Sequence, residues 1–174
     1  IVAPSFTTDG AAALSDRWKN IRLLAVGTDK RPTKWKQVRS IEGGILVQDG
    51  SPVSPDPSQW EHVAGPSPTD QQRSDAVIAW ITSAHLKSNA ISIVDNGVLI
   101  GGGMGQVDRV SAARLAVQRA ADSLPSAQSP VAGSDAFFPF ADGPELLIEA
   151  GIRCIVQPGG SKRDSDIIEL CDLR

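Results

Sequence analysis

The sequence predicts an α/β fold in which a mixed β-sheet is flanked by helices. Short apolar runs typical of buried strands alternate with segments whose apolar residues recur at helical spacing. One pair of predicted strands is joined by Asn96-Gly97, a dipeptide strongly favoured in two-residue hairpin turns. Strands that alternate with helices in this way are typical of α/β domains.

The chain begins with a predicted strand and a predicted helix. Residues 1–4 form a short apolar segment that ends at a proline, which indicates a strand followed by a turn. A helix is predicted over residues 7–19, because Ala11, Leu14 and Trp18 share one face at helical spacing.

Three more strands and two loops are predicted before residue 60. The apolar run 21–26 predicts a buried strand, and a polar loop follows over 27–36. Two strands are predicted within 38–50, with a break at Gly43. Residues 51–59 contain three prolines, which predicts a loop on the surface.

The helix predicted from Thr69 to about Leu86 has the best-defined start in the chain. Thr69 and Gln72 have the spacing of a capping box, in which each side chain accepts a hydrogen bond from the other residue's backbone. The apolar residues predicted to form its buried stripe are Val77, Trp80, Ile81 and Ala84.

The remaining elements are a hairpin, two helices and a strand. The hairpin is predicted over 90–100, and a glycine-rich loop over 101–105 leads into a helix. That helix is predicted to bury Val110, Ala113, Val117, Ala120 and Leu124. A Ser/Pro-rich loop ends at Gly133, a short strand follows over 152–156, and a last helix begins at about Lys162.

Composition limits the class of protein. Of 174 residues, 41% are apolar and 21% are charged, which is ordinary for a single globular domain over 1–174, with a candidate internal linker at 64–69. The net charge of −3 argues against a nucleic-acid partner. No apolar run approaches the roughly 20 residues that span a bilayer, so no membrane partner is expected. Cys154 and Cys171 lack zinc-site spacing, which predicts two buried thiols in a reducing, cytoplasmic compartment.

Three loops that precede helices are candidates for chemistry. In the first, Arg109 follows the glycine-rich loop in the first turn of a helix, where a cation opposes the helix dipole. An anionic or carbonyl ligand would account for that placement, and an exposed arginine after a tight turn is the alternative. The loop lacks the G-x-G-x-x-G spacing of a dinucleotide site.

The second loop, SDAFFPFADG, contains three of the four phenylalanines of the chain: Phe137, Phe138 and Phe140. One of these rings could line a slot for a flat ligand, and a loop that plugs the core is the alternative. Asp142 and Glu145 have capping-box spacing, and a capping carboxylate can also face a ligand.

The third loop, QPGGSKRD, precedes the last predicted helix. Ser161 is predicted to cap that helix, and Gly159-Gly160 would let a ligand lie against the backbone. Asn89, at the start of the predicted hairpin, has an amide that donates and accepts at once, which suits a carboxamide ligand. The alternative is that Asn89 is only a turn residue.

Three stretches together resemble one family of enzymes. They are LKSNAISIVDNGVLIGGGMGQVDRV at 86–110, SDAFFPFADG at 134–143 and IRCIVQPGGSKRD at 152–164. In order and spacing they are similar to the transformylase domain of the PurH family, which joins AICAR formyltransferase to IMP cyclohydrolase. The resemblance implies a cytidine-deaminase-like fold without zinc, formyl transfer from 10-formyltetrahydrofolate to AICAR in IMP biosynthesis, and a homodimer.

The resemblance also implies roles for individual residues. The expected catalytic residues are Asn89, Arg109, Phe137 and Asp142. The expected substrate-binding residues are Gly103, Gly105, Gln106, Phe138, Pro139, Pro158, Gly159, Gly160 and Ser161. A potassium ion would lie beside Ser88 and Asp135.

The chain also departs from the family. It contains no Lys-His dipeptide, the family's catalytic pair, and Ala141 stands where the family has arginine. His62 and His85 are expected to be structural or surface residues. The chain lacks an initiator Met and resembles about the second half of a transformylase domain, so we expect it to be inactive without the remainder of a PurH polypeptide. The alternative function is a non-catalytic subunit of the same fold that binds a nucleotide or a folate.

Overall fold

The computed structural model describes residues 1–27, 35–50 and 56–174. The chain divides into two compact units, Ile1–Pro52 and Val53–Arg174. The second unit combines helices with a mixed sheet, which confirms the predicted α/β class. The segment 64–69, expected as a linker, lies within the second unit, where the Gly65 backbone N–H donates to the Asp172 carboxylate at 2.7 Å.

In the first unit, strands β1 (Val2–Ala3) and β2 (Leu24–Ala25) pair in parallel, and helix α1 (Thr8–Arg17) lies between them in sequence. Thr7 begins the helix, because its hydroxyl oxygen accepts a hydrogen bond from the Gly10 backbone N–H at 3.1 Å. The predicted strand–helix–strand order is therefore confirmed.

The burial predicted for this unit is wrong at two places. The strand expected to be buried over 21–26 contains only two paired residues, and both are exposed. Trp18, expected on the buried face of α1, is 49% exposed. The physical reason is that, among the described residues, β2 pairs only with the two-residue strand β1, and the partly buried residues of α1 are Gly10, Ala11 and Leu14.

Strands β3 (Lys36–Ile41) and β4 (Gly44–Asp49) form an antiparallel hairpin. Gly43 occupies its turn with a φ of +77°, a conformation that glycine adopts without strain, which confirms the predicted break. Lys36 begins β3 rather than ending a loop. The rest of the loops predicted over 27–36 and 51–59 lies largely outside the described residues, although Pro57–Gln59 forms one 3₁₀ turn.

The second unit contains a four-stranded sheet in the order β6-β5-β7-β8. Its strands are β5 (Ile91–Asp95), β6 (Val98–Gly103), β7 (Val131–Ser134) and β8 (Cys154–Val156). Strand β5 is antiparallel to both of its neighbours, whereas β7 and β8 are parallel, so the sheet is mixed as predicted. Three residues of β7, Val131–Gly133, lie inside the segment predicted as a Ser/Pro-rich loop. That prediction is wrong because small residues have weak strand propensity, and pairing on both edges decides the conformation.

The β5–β6 turn has the expected geometry. Asn96 and Gly97 both have positive φ values, 48° and 78°, as two-residue hairpin turns of this class require. The carboxylate of Asp75, which is 1% exposed, accepts hydrogen bonds from the backbone N–H groups of Asn96 at 2.9 Å and Gly97 at 2.7 Å. Asp75 therefore ties the hairpin turn to helix α2 (Asp70–His85).

We expect Asp75→Ala to lower the stability of the second unit by at least about 2 kcal/mol. The substitution leaves two turn N–H groups without their acceptor, and a hydrogen bond to a charged group is worth about 1.5–3 kcal/mol. Urea unfolding of the variant against the parent chain measures the change. Asp95→Ala, at a more exposed position, is expected to cost less, and equal losses in the two variants would contradict this role for Asp75.

Helix α2 has the predicted capping box. The Thr69 hydroxyl oxygen accepts from the Gln72 N–H at 3.2 Å, and the Gln72 side-chain oxygen accepts from the Thr69 N–H at 2.8 Å. The predicted buried stripe is wrong, because the residues of α2 that are buried are Asp75, Ala76, Ala79 and Ser83. A Cβ on Gly133 of β7 would lie 2.6 Å from the Ala79 backbone, so the helix packs too closely on the strand for large side chains to fit between them.

Helix α3 (Arg109–Ala120) packs on the other face of the sheet in the same way. Its buried residues are Arg109, Ala112, Ala113, Ala116 and Ala120. Of the predicted stripe, Ala113 and Ala120 are buried, Val110 and Val117 are partly buried, and Leu124 lies beyond the end of the helix. The predicted glycine loop is partly wrong, because Gly101–Gly103 belong to β6, and the lack of a side chain at Gly101 and Gly103 admits α3.

Gly103→Ala is expected to destabilise the second unit by about 1–3 kcal/mol or more, the usual cost of overpacking. Its Cβ would lie 1.9 Å from the Ala112 backbone oxygen, whereas a Cβ on Gly102 would meet nothing closer than 3.5 Å. Gly102→Ala is therefore the matched control, and thermal unfolding compares the two variants. A smaller loss for Gly103→Ala than for Gly102→Ala would contradict the packing argument.

Helix α4 (Asp142–Glu149) begins at Asp142, the residue predicted to cap it, and helix α5 (Asp164–Asp172) begins two residues later than predicted. Helix α4 follows Ala141, and helix α5 follows Arg163, both without a side-chain cap. The caps predicted for Asp142 and Ser161 are therefore wrong. The Asp164 carboxylate instead accepts from the Gly160 and Ser161 N–H groups at 2.7 and 3.1 Å, which closes a turn where a helix was expected.

Apolar residues fill the space on both faces of the sheet. Phe138, Leu147 and Ile167 join α3 on one face, and α2 with Val94 and Val131 forms a smaller cluster on the other. Both cysteine thiols, predicted to be buried, are half-buried, and this burial raises their pKa values. Within the described ranges, no helix is long and apolar enough to cross a membrane.

Candidate functional site

An open cavity of about 340 Å³ lies at the N-terminus of α3. Its lining consists of Asn89, Val107, Asp108, Arg109, Ala136, Phe137 and Pro139. Four of these residues were singled out from the sequence, namely Asn89, Arg109, Phe137 and Pro139. The structure thus brings together side chains from two of the three loops and from the segment that precedes β5.

Asn89 is held in place by the segment just after β6. Its side-chain Nδ2 donates to the Gln106 backbone oxygen at 2.9 Å, and its backbone N–H donates to the same oxygen at 3.2 Å. Gly105, with a φ of +67°, donates its N–H to the Lys87 oxygen at 2.7 Å. Gln106 and Gly105 therefore support Asn89, whose side-chain oxygen makes no hydrogen bond within the described part of the chain.

Arg109 is the first residue of α3 and is only 9% exposed, which rules out the alternative of an exposed arginine. Its Nη1 group donates to the Ser134 hydroxyl oxygen at 3.2 Å and forms an ion pair with the Asp135 carboxylate. Asp108 caps the helix, since its carboxylate accepts from the Ser111 N–H at 2.6 Å. Two carboxylates thus offset the unfavourable placement of a cation at this end of the helix.

The aromatic loop divides its phenylalanines between the cavity and the core. Phe137 is 41% exposed and lines the cavity, whereas Phe138 is 1% exposed and packs in the core. The Phe138 backbone N–H donates to the Gln157 side-chain oxygen at 2.8 Å, which links this loop to the turn before α5. Gly143 leaves room for the Phe138 ring, since a Cβ there would lie 2.7 Å from it. The loop therefore plugs the core through Phe138, as one alternative predicted, and the slot for a flat ligand beside Phe137 stays a prediction.

The other predicted residues lie outside the cavity lining. Asp142 is exposed at the first position of α4, where its carboxylate accepts from the Gly143 N–H at 2.8 Å. Gly159 and Gly160 form the turn before α5 with φ values of +67° and +96°. Pro158 is exposed and Ser161 is partly exposed in the same turn.

Comparison with known proteins identifies the family. The model of the family described as AICARFT/IMPCHase bienzyme matches residues 1–119, which include Asn89 and Arg109.

The chain belongs to this family.

Among the curated relatives are three bifunctional purine biosynthesis proteins PurH, and their similarity extends over almost the whole chain. The Streptococcus suis (strain 05ZYH33) protein is 39% identical over 99% of the chain, which covers 33% of that protein. The Cutibacterium acnes protein is 44% identical over 98% of the chain, which covers 33% of that protein. The Corynebacterium glutamicum (strain R) protein is 45% identical over 97% of the chain, which covers 32% of that protein. The chain therefore spans about a third of the length of the curated relatives it matches.

The surroundings of Asp135 do not fit the potassium ion that the AICARFT/IMPCHase family implies. Burial alone would raise the pKa of Asp135, but hydrogen bonds from Ser88, Arg109 and the Ala90 N–H, together with the Arg109 charge, outweigh it and hold that pKa below its ordinary value. The carboxylate is thus ionised, and one of its oxygens already accepts from the Ala90 N–H at 2.8 Å and from the Arg109 guanidinium, which would repel a second cation.

The cavity of this family member offers no base suited to neutral pH among its described lining residues. Of its two ionisable side chains, Arg109 is a cation, and Asp108 accepts hydrogen bonds from Ser111 that lower its pKa. His62 and His85 are both exposed and lie outside the lining, and the His85 Nδ1 atom is 2.8 Å from the Ile81 oxygen. The expectation of surface histidines is confirmed.

The sequence patterns did not predict that Ser134 and Asp135 are the partners of Arg109. The available signal was the arginine itself, because a buried cation at a helix N-terminus requires a counter-charge nearby. A second open cavity, of about 660 Å³, lies in the first unit beside Trp18, and none of the predicted site residues is part of its lining.

Proposed function

We propose that this chain binds AICAR for formyl transfer from 10-formyltetrahydrofolate in purine biosynthesis, as part of an AICAR formyltransferase. The observation that carries the proposal is the cavity in which Asn89, Arg109 and Phe137 converge at the start of α3. Family membership and the relatives' description as purine biosynthesis proteins support this choice of reaction.

In this proposal the cavity binds the carboxamide and the ring of AICAR. The Asn89 side-chain oxygen accepts a hydrogen bond from the carboxamide nitrogen, and the remaining N–H groups of Arg109 donate to the carboxamide oxygen. Phe137 packs against the imidazole ring. Together these contacts orient the exocyclic amine, a poor nucleophile whose lone pair is drawn into the ring, and proximity then accelerates formyl transfer.

The folate is proposed to extend from this cavity towards the start of α4 and the turn before α5. Asp142 is exposed and can accept hydrogen bonds from a pterin, and the Pro158–Ser161 turn presents backbone to solvent. We also propose that the chain acts in the cytoplasm, forms a homodimer and has the remainder of a PurH polypeptide as a partner. A base for the amine proton would come from residues outside this cavity.

A binding subunit without catalytic activity is the second candidate function. The observation that favours it is the lack of a neutral-pH base among the described lining residues. Such a subunit would bind AICAR through the same side chains of Asn89, Arg109 and Phe137. A measurement of AICAR affinity therefore tests both candidate functions, and a measurement of formyl-transfer turnover distinguishes between them.

Phe137→Ala is expected to weaken AICAR binding by roughly 5- to 150-fold, because stacking a base on an aromatic ring is worth about 1–3 kcal/mol. Titration calorimetry of the chain with AICAR measures the affinity. Phe140→Ala is the matched control, since Phe140 is 51% exposed and lies outside the cavity, with Arg163 over its ring at 5.0 Å. Equal affinities for the parent chain and Phe137→Ala would refute the proposed site.

A further inference from the structure

We propose that Asp135 is a positioning residue of the AICAR cavity: its carboxylate holds the Arg109 guanidinium at the cavity wall and joins the Asn89 segment to the start of α3. This inference rests on the proposed function, because it concerns how the same cavity is kept in shape to bind AICAR.

The contacts of Asp135 connect three separate segments of the chain. Asp135 directly follows the central strand β7. One of its carboxylate oxygens accepts from the Ala90 backbone N–H at 2.8 Å and also from Nη1 of Arg109. Ala90 is the neighbour of Asn89, so a single carboxylate sets the distance between the Asn89 and Arg109 side chains in the cavity.

Ser134 completes the support of Arg109. Its hydroxyl oxygen accepts from Nη1 of Arg109 at 3.2 Å, and its hydroxyl donates to the Ala136 backbone oxygen at 2.6 Å. Nη1 carries two N–H groups, and its contacts with Ser134 and Asp135 use both of them. The guanidinium is thereby fixed from one side only.

The other side of the guanidinium remains available to a ligand. Its Nε and Nη2 atoms make no hydrogen bond to the described residues. Arg109 is one of the residues that line the cavity. The three N–H groups on Nε and Nη2, which lie in one rigid plane, are therefore the donors left for a ligand in the space assigned to AICAR.

Two roles for Asp135, positioning Arg109 or acting only as a negative charge, predict opposite changes in AICAR affinity when the carboxylate is neutralised. The side chains of Arg109 and Asp135 are only 9% and 12% exposed. Without the carboxylate charge, a buried guanidinium is poorly compensated, so it will turn towards water and leave the cavity wall. If Asp135 instead acted only as a negative charge near the ligand, its neutralisation would tighten the binding of an anionic nucleotide.

Asp135→Asn tests this choice, because asparagine keeps an oxygen for the Ala90 N–H and removes the charge that holds Arg109. We expect AICAR affinity, measured by titration calorimetry, to fall by about 10- to 100-fold, the range of a charge-assisted hydrogen bond. The matched control is Asp75→Asn, a buried aspartate that also accepts backbone N–H groups but lies outside the cavity. It should lower the melting temperature and leave AICAR affinity unchanged. Unchanged or tighter binding in Asp135→Asn would overturn the proposal.

A double-mutant cycle separates positioning from a general structural role. In an Arg109→Gln background, Asp135→Asn should weaken AICAR binding by less than about 3-fold, because the group that Asp135 positions is already absent. Equal weakening in the two backgrounds would overturn the inference.

A nitrogen-15 NMR measurement of the Arg109 side chain gives a readout that does not depend on AICAR. The Nη1 protons of Arg109, which Asp135 and Ser134 hold, should exchange slowly with water in the parent chain and in Asp75→Asn, and rapidly in Asp135→Asn. Slow exchange in Asp135→Asn would overturn the inference even where AICAR binds as proposed. If the parent chain fails to bind AICAR, the proposed function fails, and the NMR result alone decides whether Asp135 positions Arg109.

Discussion

The 174-residue chain on its own is expected to bind AICAR without transferring a formyl group to it. The cavity has side chains that can hold and orient the nucleotide, but its described lining offers no group that can accept the amine proton at neutral pH. Removal of a general base typically slows a reaction by about 10²- to 10⁴-fold. The chain also contains no Lys-His dipeptide, the pair that the family resemblance implies for catalysis.

A formyl-transfer assay with 10-formyltetrahydrofolate, run beside calorimetric titration of AICAR, measures this expectation. A polypeptide that carries the Lys-His segment of a relative should restore turnover when it is mixed with the chain, and the same polypeptide with its histidine replaced by alanine is the control. Turnover by the chain alone, at the rate of a complete enzyme, would contradict the prediction. His85 would then be the first residue to replace.

Arg109→Ala is expected to reduce both AICAR affinity and folding stability. Loss of a charged hydrogen-bond partner of the ligand should cost about 1.5–3 kcal/mol of binding free energy, or roughly 10- to 150-fold in affinity. The same change leaves Asp135 buried without its counter-charge, and breaking a buried ion pair by removing one partner costs about 3–5 kcal/mol of stability.

Calorimetry and urea unfolding of the same samples measure the two effects separately. Arg114→Ala, which removes an exposed arginine from the same helix, is the matched control and should change neither quantity by more than a small amount. If Arg109→Ala loses stability but keeps its affinity for AICAR at temperatures where it is folded, the arginine is purely structural.

Local patterns in the sequence predicted several elements correctly because short-range chemistry decides them. Thr69 and Gln72 are three residues apart, so their capping box forms wherever that helix begins. Asn96-Gly97 adopts positive φ readily, which determines the β5–β6 turn within two residues. Asn89, Arg109 and Phe137 were found through three stretches similar to one family, and the structure places all three on one cavity.

The packing faces of the helices could not be predicted from apolar periodicity. In α2 the larger residues Val77 and Ile81 lie towards the flank, while Ala76 and Ala79 face the sheet. The reason is the close approach of the helix to Gly133, which leaves space only for small side chains. Gly101 and Gly103 of β6 allow an equally close approach of α3. A sequence alone does not distinguish such a glycine-rich strand from a ligand-binding loop.

The sequence by itself therefore determined the α/β class, the well-capped helix, the tight hairpin and four of the seven residues that line the cavity. Only the tertiary structure decided that Val131–Ser134 is a strand, because its small residues are ordered by partners on both edges. It also decided that Asp135 pairs with Arg109 rather than remaining available to a cation. These residues are 26 positions apart, and the ion pair forms because the end of β7 lies beside the start of α3, a proximity that local sequence patterns do not encode.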